Sequence, residues 1–254
     1  MNEEQRINVC KTSVAQIYTM LRSSPQQWRA YLVLARSVTA HLDATSFMQQ
    51  TSRTTEQNWI ITALQRLAFA DPDNGAVQDI AAWCARQWQV ILQRVTHNVA
   101  ALRGMGEAWL SRAQPALSRI HHVDGSSSSG GSSQWSAPSI TSSDDERQNS
   151  AATTEAERRS GTADYVEARG FLQPAVEYLE RAVTAAPAQQ ALSGDLLVKT
   201  AEAYMSLGNA SSPRVNERYF RRALQLLRAA KSIPGYTLWP YLERYLDDYG
   251  RLLE

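Results

Sequence analysis

Apolar side chains recur at helical spacing along most of this 254-residue chain. A helix predicted over 3–22 places four of them on one face: Ile7, Val14, Ile17 and Leu21. Runs rich in Val, Ile and Thr that end in Asn-Gly turns, which indicate strands, do not occur. The pattern therefore predicts an all-α protein.

Further amphipathic runs follow, separated by short polar breaks. The N-terminal part contains predicted helices over 25–42, from Thr55 to the break at Asp71, over 75–95 and over 99–120. The C-terminal part contains predicted helices over 153–169, 171–186, 190–208, 213–231 and 238–253. Because most connections are short, consecutive helices are expected to be antiparallel neighbours.

Residues 121–152 interrupt this pattern. Serine and glycine dominate there, apolar residues are scarce, and no helical or strand period is present. Such a segment buries too little apolar surface to offset the entropy of ordering, so it is predicted to be a flexible linker. It divides the chain into an N-terminal helical region, 1–120, and a C-terminal region, 153–254.

The stretch GFLQPAVEYLERAVTAAP, Gly170–Pro187, has small and large residues at regular positions. It resembles the second half of a tetratricopeptide repeat, a 34-residue helix–turn–helix unit. In that register Gly170 stands at the turn, Ala175 and Ala182 at small positions, Leu179 at the large position, and Pro187 at the close. Alanines allow close approach of the two helices of a hairpin, and a leucine fills the gap to the next hairpin.

Neighbouring segments extend the resemblance. LLVKTAEAYMSLGN is similar to a first repeat helix, with the expected order Leu197, Ala201, Tyr204, Leu207 and Gly208. Its partner, ERYFRRALQLLRAA, supplies Phe220 and Ala223, after a turn longer than the family norm and before a late closing proline, Pro234. Upstream, a partial unit at 98–120 places Leu102, Gly106 and Trp109 in the large, small and aromatic positions.

The resemblance implies a short α-solenoid of antiparallel helical hairpins with a C-terminal capping helix over 238–253. The serine-rich segment is then an insertion. It lies either between the first helix at 99–120 and the helix starting near 153, or between two hairpins. Two separate helical domains are the alternative to one interrupted solenoid.

Residues with chemistry are sparse. No nucleophile–base pair, metal-type cluster or nucleotide-binding loop stands out, so neither enzymatic activity nor a cofactor is predicted. Cys84 lies among apolar residues and is predicted to be a small buried residue. For Cys10, the adjacent Lys11 is the one feature that favours a reactive thiol.

The net charge of the chain and the length of its apolar stretches limit the partners that are expected. The chain has 26 basic and 25 acidic residues, so no global attraction to nucleic acid or to anionic membranes is expected. No stretch has the apolar length of a membrane span, and the first residues are too polar for a signal peptide. An intracellular protein, cytoplasmic or nuclear, is predicted.

Helical arrays expose grooves that bind a peptide or helix of a partner. The chain is therefore predicted to be a scaffold or adaptor, and the inner faces of 99–110 and 195–206 are its candidate groove. Three polar residues are candidates for partner binding there: Arg103, Lys199 and Glu202.

A second candidate surface is a row of arginines along one predicted helix. Its members recur at spacings of four, three and seven residues: Arg214, Arg218, Arg221 and Arg228. This arginine row suits an acidic peptide tail or a nucleic-acid backbone, and the alternative function is a subunit of a transcription or RNA-processing assembly. A solvated face paired with Glu217 or with acidic residues of the last helix is the simpler interpretation.

The linker contains the motif TSSDDE, residues 141–146. Ser142 and Ser143 lie three residues before acidic side chains, the pattern that an acid-directed kinase requires. Phosphorylation of these serines is a hypothesis. It would add about −1.5 to −2 charges at each site and draw the linker towards a basic surface such as Arg218 and Arg221.

Overall fold

The computed structural model describes residues 2–127 and 153–253 of the chain. All regular structure in these residues is helical, which confirms the all-α prediction. From residue 128 on, the predicted linker lies outside the described residues, and so do Ser142 and Ser143.

Ten helices follow one another in the described residues, and short 3₁₀ turns join several of them. The helices are α1 Glu3–Ser23, α2 Leu32–Asp43, α3 Thr54–Ala68, α4 Gln78–Arg94, α5 Val99–Ser127, α6 153–160, α7 Ala163–Ala185, α8 Gly194–Asn209, α9 Pro213–Lys231 and α10 Pro240–Tyr249. The predicted helix over 25–42 divides into a 3₁₀ segment, Pro25–Tyr31, and α2. At its C-terminal end α5 continues to Ser127, beyond the predicted boundary at residue 120.

The chain forms two compact units. The first unit comprises Met1–Arg112 and Glu177–Ala191, and the second comprises Ala113–Val176 and Leu192–Glu254. Each unit has its own arrangement of helices.

Helix α1 shows how local sequence fixes a helix. Asn2 caps its N-terminus: the Asn2 side chain accepts a hydrogen bond from the Gln5 amide, and the Gln5 side chain accepts one from the Asn2 amide. This reciprocal capping satisfies two amides that the helix itself leaves unpaired. The buried face then repeats at helical spacing: Ile7, Cys10, Val14 and Ile17.

Two antiparallel hairpins build the start of the first unit. Helices α1 and α2 pack against each other, and the Cys10 thiol lies 3.9 Å from the Val38 carbonyl oxygen. Helices α3 and α4 meet at their linked ends, where the Val77 amide donates to the Ala68 carbonyl at 2.8 Å. Further from that turn, the Cys84 thiol lies 3.8 Å from the Ile61 carbonyl oxygen.

These hairpins stack in the same orientation. Lys11 of α1 pairs with Glu56 near the start of α3 at 2.8 Å, and further along both helices Arg66 lies over the ring of Tyr18. Likewise α2 runs parallel to α4. Its Arg36 contacts Asp79 at 2.6 Å, and Asp43 accepts a hydrogen bond from Trp83 at 2.8 Å. First helices therefore pack on first helices and second on second, as consecutive hairpins do in an α-solenoid.

Helix α5 joins this stack through a buried side chain of α3. The Gln65 amide nitrogen donates to the Gly104 carbonyl at 2.9 Å, and its oxygen accepts from the Trp88 indole at 2.8 Å. Trp88 is fully buried, and its ring occupies the space that a side chain at position 104 would take. A glycine is therefore required at this contact between α4 and α5.

Helices α5 and α7 contribute to both units, and a contact joins their ends within each unit. Within the first unit, Gln189 just after α7 contacts the amide of Val99 at the start of α5. Within the second unit, Arg119 near the end of α5 pairs with Asp164 at the start of α7, at 2.7 Å. Residues 128–152 and α6 lie, in sequence, between α5 and α7, and the two placements of the insertion stay predictions.

The prediction of a turn at Gly170 is wrong. Helix α7 runs without a break from Ala163 to Ala185, and the chain bends instead at Gly161 and Thr162. A single row of fully buried residues crosses position 170 at helical spacing: Ala168, Leu172, Ala175, Leu179, Ala182 and Ala186. Because interrupting this row would expose it, burial overrides the local preference of glycine for a turn.

In the second unit, α8 and α9 form an antiparallel hairpin, in which the rings of Tyr204 and Tyr219 lie 6.3 Å apart. Helix α10 packs against α9 and buries Leu242 and Leu246, and its role as a capping helix stays a prediction. Lys231 at the end of α9 pairs with Glu243 of α10 at 3.0 Å.

Arg169 of α7 forms hydrogen bonds at the C-terminal ends of two helices in this unit. Its guanidinium donates to the Ser160 carbonyl at the end of α6, at 2.7 Å, and to the Ala210 carbonyl after α8, at 2.6 Å. The last carbonyls of a helix lack partners within it and carry partial negative charge, so a cation stabilises both ends.

Substitution of Gly104 by alanine is expected to lower the free energy of unfolding by about 1–3 kcal/mol, because the new methyl group would lie 2.4 Å from the Trp88 ring. Gly170→Ala is the matched control. No atom lies within 4 Å of its added methyl group, and alanine within an α-helix is expected to raise stability by about 0.5–1 kcal/mol. Urea unfolding measures both. Destabilisation by Gly170→Ala would contradict a continuous α7.

A second prediction concerns pH. Hydrogen bonds from Arg53 and Lys11 lower the pKa of the Glu56 carboxyl from 4.5 to about 2. Its charged form therefore stabilises the fold above pH 4.5, and this contribution is lost as the pH falls from there towards 2. Glu56→Gln should reduce the urea midpoint at neutral pH, and the difference from the parent chain should shrink below pH 4.5.

Glu217→Gln provides the control for this experiment, since the Glu217 side chain is 69% exposed and its ion pair lies on the surface. It is expected to change the midpoint little at either pH. A difference between Glu56→Gln and the parent chain that stays constant down to the acid limit would show that Glu56 does not stabilise the fold through its charge.

Candidate functional site

The exposed side of α8 carries three charged residues in a row. Ser193 caps the helix by accepting a hydrogen bond from the Leu196 amide at 3.2 Å, which fixes where the helix begins. Asp195, Lys199 and Glu202 then recur every three to four residues along one face, here called the α8 row. Lys199 and Glu202, both predicted candidates, form an ion pair at 2.7 Å.

Two tyrosines that the sequence analysis did not identify complete this surface. The Tyr236 hydroxyl donates to Asp195 at 2.9 Å, and the Tyr241 hydroxyl donates to Glu202 at 2.7 Å. Tyr236 lies in the segment before α10, and Tyr241 lies in the first turn of α10. Burial, followed by the hydrogen bond to the Glu202 carboxylate, raises the pKa of Tyr241 to about 12.

The start of α8 is shaped to receive Tyr236. Gly194 lies directly under the tyrosine ring, and a methyl group on it would fall 2.2 Å from the ring. Tyr241, which binds Glu202, remains 58% exposed. The α8 row therefore combines paired charges with an exposed aromatic ring, and aromatic residues are enriched in protein-binding surfaces.

Arg103 lies in the other unit, on α5. It forms an ion pair with Glu107 one turn further along the same helix, at 2.7 Å. About one third of the Arg103 side chain and one quarter of the Glu107 side chain are exposed to solvent. This candidate thus resembles Lys199 in having a carboxylate partner on its own helix.

The arginine row lies along the exposed face of α9, as predicted. Each member has a local contact. Arg214 pairs with Glu157 of α6, Arg221 pairs with Glu217 at 2.8 Å, and Arg228 donates to the Gly250 carbonyl at 3.1 Å. The guanidinium of Arg218 lies over the ring of Tyr219, 4.6 Å from its centre. The pairing of Arg221 with Glu217 agrees with the simpler interpretation, and nucleic-acid binding stays a prediction.

The two thiols lie in the interior of the first unit. Cys84 and Cys10 are both buried, and burial raises the pKa of each. Lys11 does not activate Cys10, because its ammonium group is bound to Glu56 on α3. The interpretation of Cys84 as a small buried residue is confirmed, and the feature that favoured a reactive Cys10 is removed.

Comparisons with models of known protein families, with curated proteins and with solved structures found no match to this chain. Among the helices in the described part of the chain, none combines the length and apolar character needed to cross a bilayer.

A thiol reagent is expected to leave both cysteines unmodified in the folded chain and to modify both in urea, because burial excludes the reagent and disfavours the thiolate. Lys11→Ala should leave the labelling rate of the folded chain low. Fast labelling of one thiol before unfolding would contradict the buried position of that cysteine.

Proposed function

We propose that the chain is a non-enzymatic scaffold or adaptor of the tetratricopeptide-like class, which binds a peptide or helix of a partner protein. The observation that carries this proposal is the stacking in the first unit, where α1 packs parallel to α3 and α2 packs parallel to α4. Stacking of this kind aligns the first helices of successive hairpins side by side. Their outward faces then form a continuous binding surface.

The α8/α9 hairpin supports the tetratricopeptide register. Its small positions, Ala201 and Ala223, are fully buried, and Leu207 and Phe220 are buried beside them. In α7 the small positions Ala175 and Ala182 and the large position Leu179 are also buried, and Pro187 follows the end of the helix. The missing turn at Gly170 makes the α7 unit longer at its start than the family pattern.

The α8 row is the surface that we propose for partner contact in the second unit. Lys199 and Glu202 are only partly exposed, so a partner that contacts them also covers the ring of Tyr241, whose hydroxyl donates to Glu202. Burial of aromatic area supplies most of the affinity in such interfaces, and the ion pair adds orientation. The salt dependence of binding should therefore be weak.

The test is affinity purification from the native cell at low and high salt with three chains: the parent, Lys199→Ala and Arg158→Ala. The yield of proteins retained by the parent chain at high salt should fall with Lys199→Ala, because Glu202 loses its ion-pair partner within the interface. Arg158→Ala is the matched control, since Arg158 also belongs to an exposed ion pair within one helix, with Glu155.

Two results would contradict the proposal. If no protein is retained at high salt, the α8 row is not a partner-binding surface. If Lys199→Ala and Arg158→Ala both retain the same proteins as the parent chain, binding takes place elsewhere. Urea unfolding of each variant shows whether a lost partner reflects a lost fold.

A further inference from the structure

Helix α9 has the most asymmetric charge distribution among the described helices. Its 19 residues contain six basic side chains and one acidic side chain, Glu217. The basic residues are Arg214, Arg218, Arg221, Arg222, Arg228 and Lys231. Most of this charge lies on one face, because the opposite face is committed to the interior of the second unit.

The buried face fixes the orientation of the helix. Ala223, Leu224 and Leu227 are fully buried between the helices of the unit, and Phe220 is nearly so. Rotation of α9 about its axis would therefore expose these apolar side chains to water, which is unfavourable. The arginine row is held at the surface, where the Arg214 and Arg221 side chains are 78% and 48% exposed.

Carboxylates already bind to this row within the chain. Glu157 of α6 contacts Arg214 with both oxygens, and Glu217 contacts Arg221 at 2.8 Å. Each guanidinium has five N–H donors in a planar fork, so one carboxylate oxygen does not exhaust its capacity. The second half of the row is therefore able to accept carboxylates from outside the chain.

A shallow, open groove of about 460 Å³ marks this second half. It is lined by residues of α9 and the position after it: Arg221, Gln225, Arg228, Ala229 and Ser232. The two arginines are seven residues apart on the helix, which corresponds to a separation of about 10 Å along its axis. The small side chain of Ala229 leaves the space between neighbouring polar groups open.

The distance between Arg221 and Arg228 determines the spacing of the ligand groups that can bind to both. An extended peptide advances about 3.3 Å per residue, so carboxylates three residues apart are separated by about 10 Å. We infer that this groove binds an extended acidic segment of a partner protein, with one carboxylate on Arg221 and a second, three residues away, on Arg228. Gln225 lies on the same face between them, four residues after Arg221 and three before Arg228. This site is distinct from the α8 row and does not depend on it.

Charge favours a peptide over nucleic acid here. Nucleic-acid affinity grows with the number of phosphates that are neutralised, and it needs a dense set of cations. Glu157 and Glu217 already pair with Arg214 and Arg221, so the row carries too little net positive charge to neutralise several phosphates. A short acidic peptide needs only the two forks at Arg221 and Arg228.

The test is fluorescence anisotropy with the full chain and a labelled synthetic peptide of serine and glycine that carries two glutamates three residues apart. A peptide with glutamine in place of both glutamates is the ligand control. Arg221→Gln and Arg228→Gln are each expected to weaken binding by about fivefold. Arg22→Gln is the matched control, because it removes the same charge from an exposed position on α1 and should leave affinity unchanged.

Circular dichroism melting confirms that each variant is folded. Equal binding of the glutamine peptide, or unchanged affinity in both α9 variants, would overturn the inference. Tighter binding of oligothymidylate, weakened by the same substitutions, would overturn it in favour of nucleic acid. Peptide binding that appears only after neutralisation of Asp144, Asp145 and Glu146 would also overturn it, since the acidic occupant would then be the chain's own.

Discussion

In the first unit, the contact of the α3/α4 hairpin with α5 depends on one buried side-chain amide, that of Gln65. Only 6% of Gln65 is exposed, and each end of its amide has a partner on a different helix: Trp88 on α4 and Gly104 on α5. A buried amide that loses a partner costs about 1–3 kcal/mol, so a shift of α4 or α5 against α3 is disfavoured. The apolar core supplies stability without direction, whereas this network fixes the relative positions of three helices.

Each unit contains a glycine whose lack of a side chain leaves room for an aromatic ring. In the first unit Gly104 admits the ring of Trp88, and in the second Gly194 admits the ring of Tyr236. The first contact is entirely internal and serves the fold. The second lies at the surface and places the Tyr236 hydroxyl on Asp195, so close packing of backbone and ring there shapes a candidate binding surface.

Much of the fold was predictable because helix formation in this chain is governed locally. The bounds of α9 agree with the predicted 213–231, since the hydrophobic period is strong and Pro213 and Ser212 define its start. The predicted turn at Gly170 was wrong because the helix continues through this position for a reason that is not local. Tertiary packing buries the row that includes Ala168 and Leu172, and this keeps α7 helical.

For the candidate surfaces, the exposed charges followed from helical periodicity, which places Lys199 with Glu202 and aligns the arginine row. Tyr236 and Tyr241 did not follow from it, since their partners lie 41 and 39 residues away in sequence. Contacts over that separation depend on how α10 packs, and no local pattern encodes them. In the sequence, Gly194 and the break at Pro234 were the available signals of this packing. Neither one indicates which distant residue it contacts.

The charge of α9 also has to be reconciled with a chain whose net charge is +1. A concentrated basic helix in a nearly neutral protein creates a strong field only nearby, because at physiological salt exposed charges are screened within about 8 Å. Such a surface attracts partners little from a distance. Under the inference for Arg221 and Arg228, selectivity would follow from the match of a partner's carboxylates to the fixed spacing of these arginines on the helix, and not from the total charge.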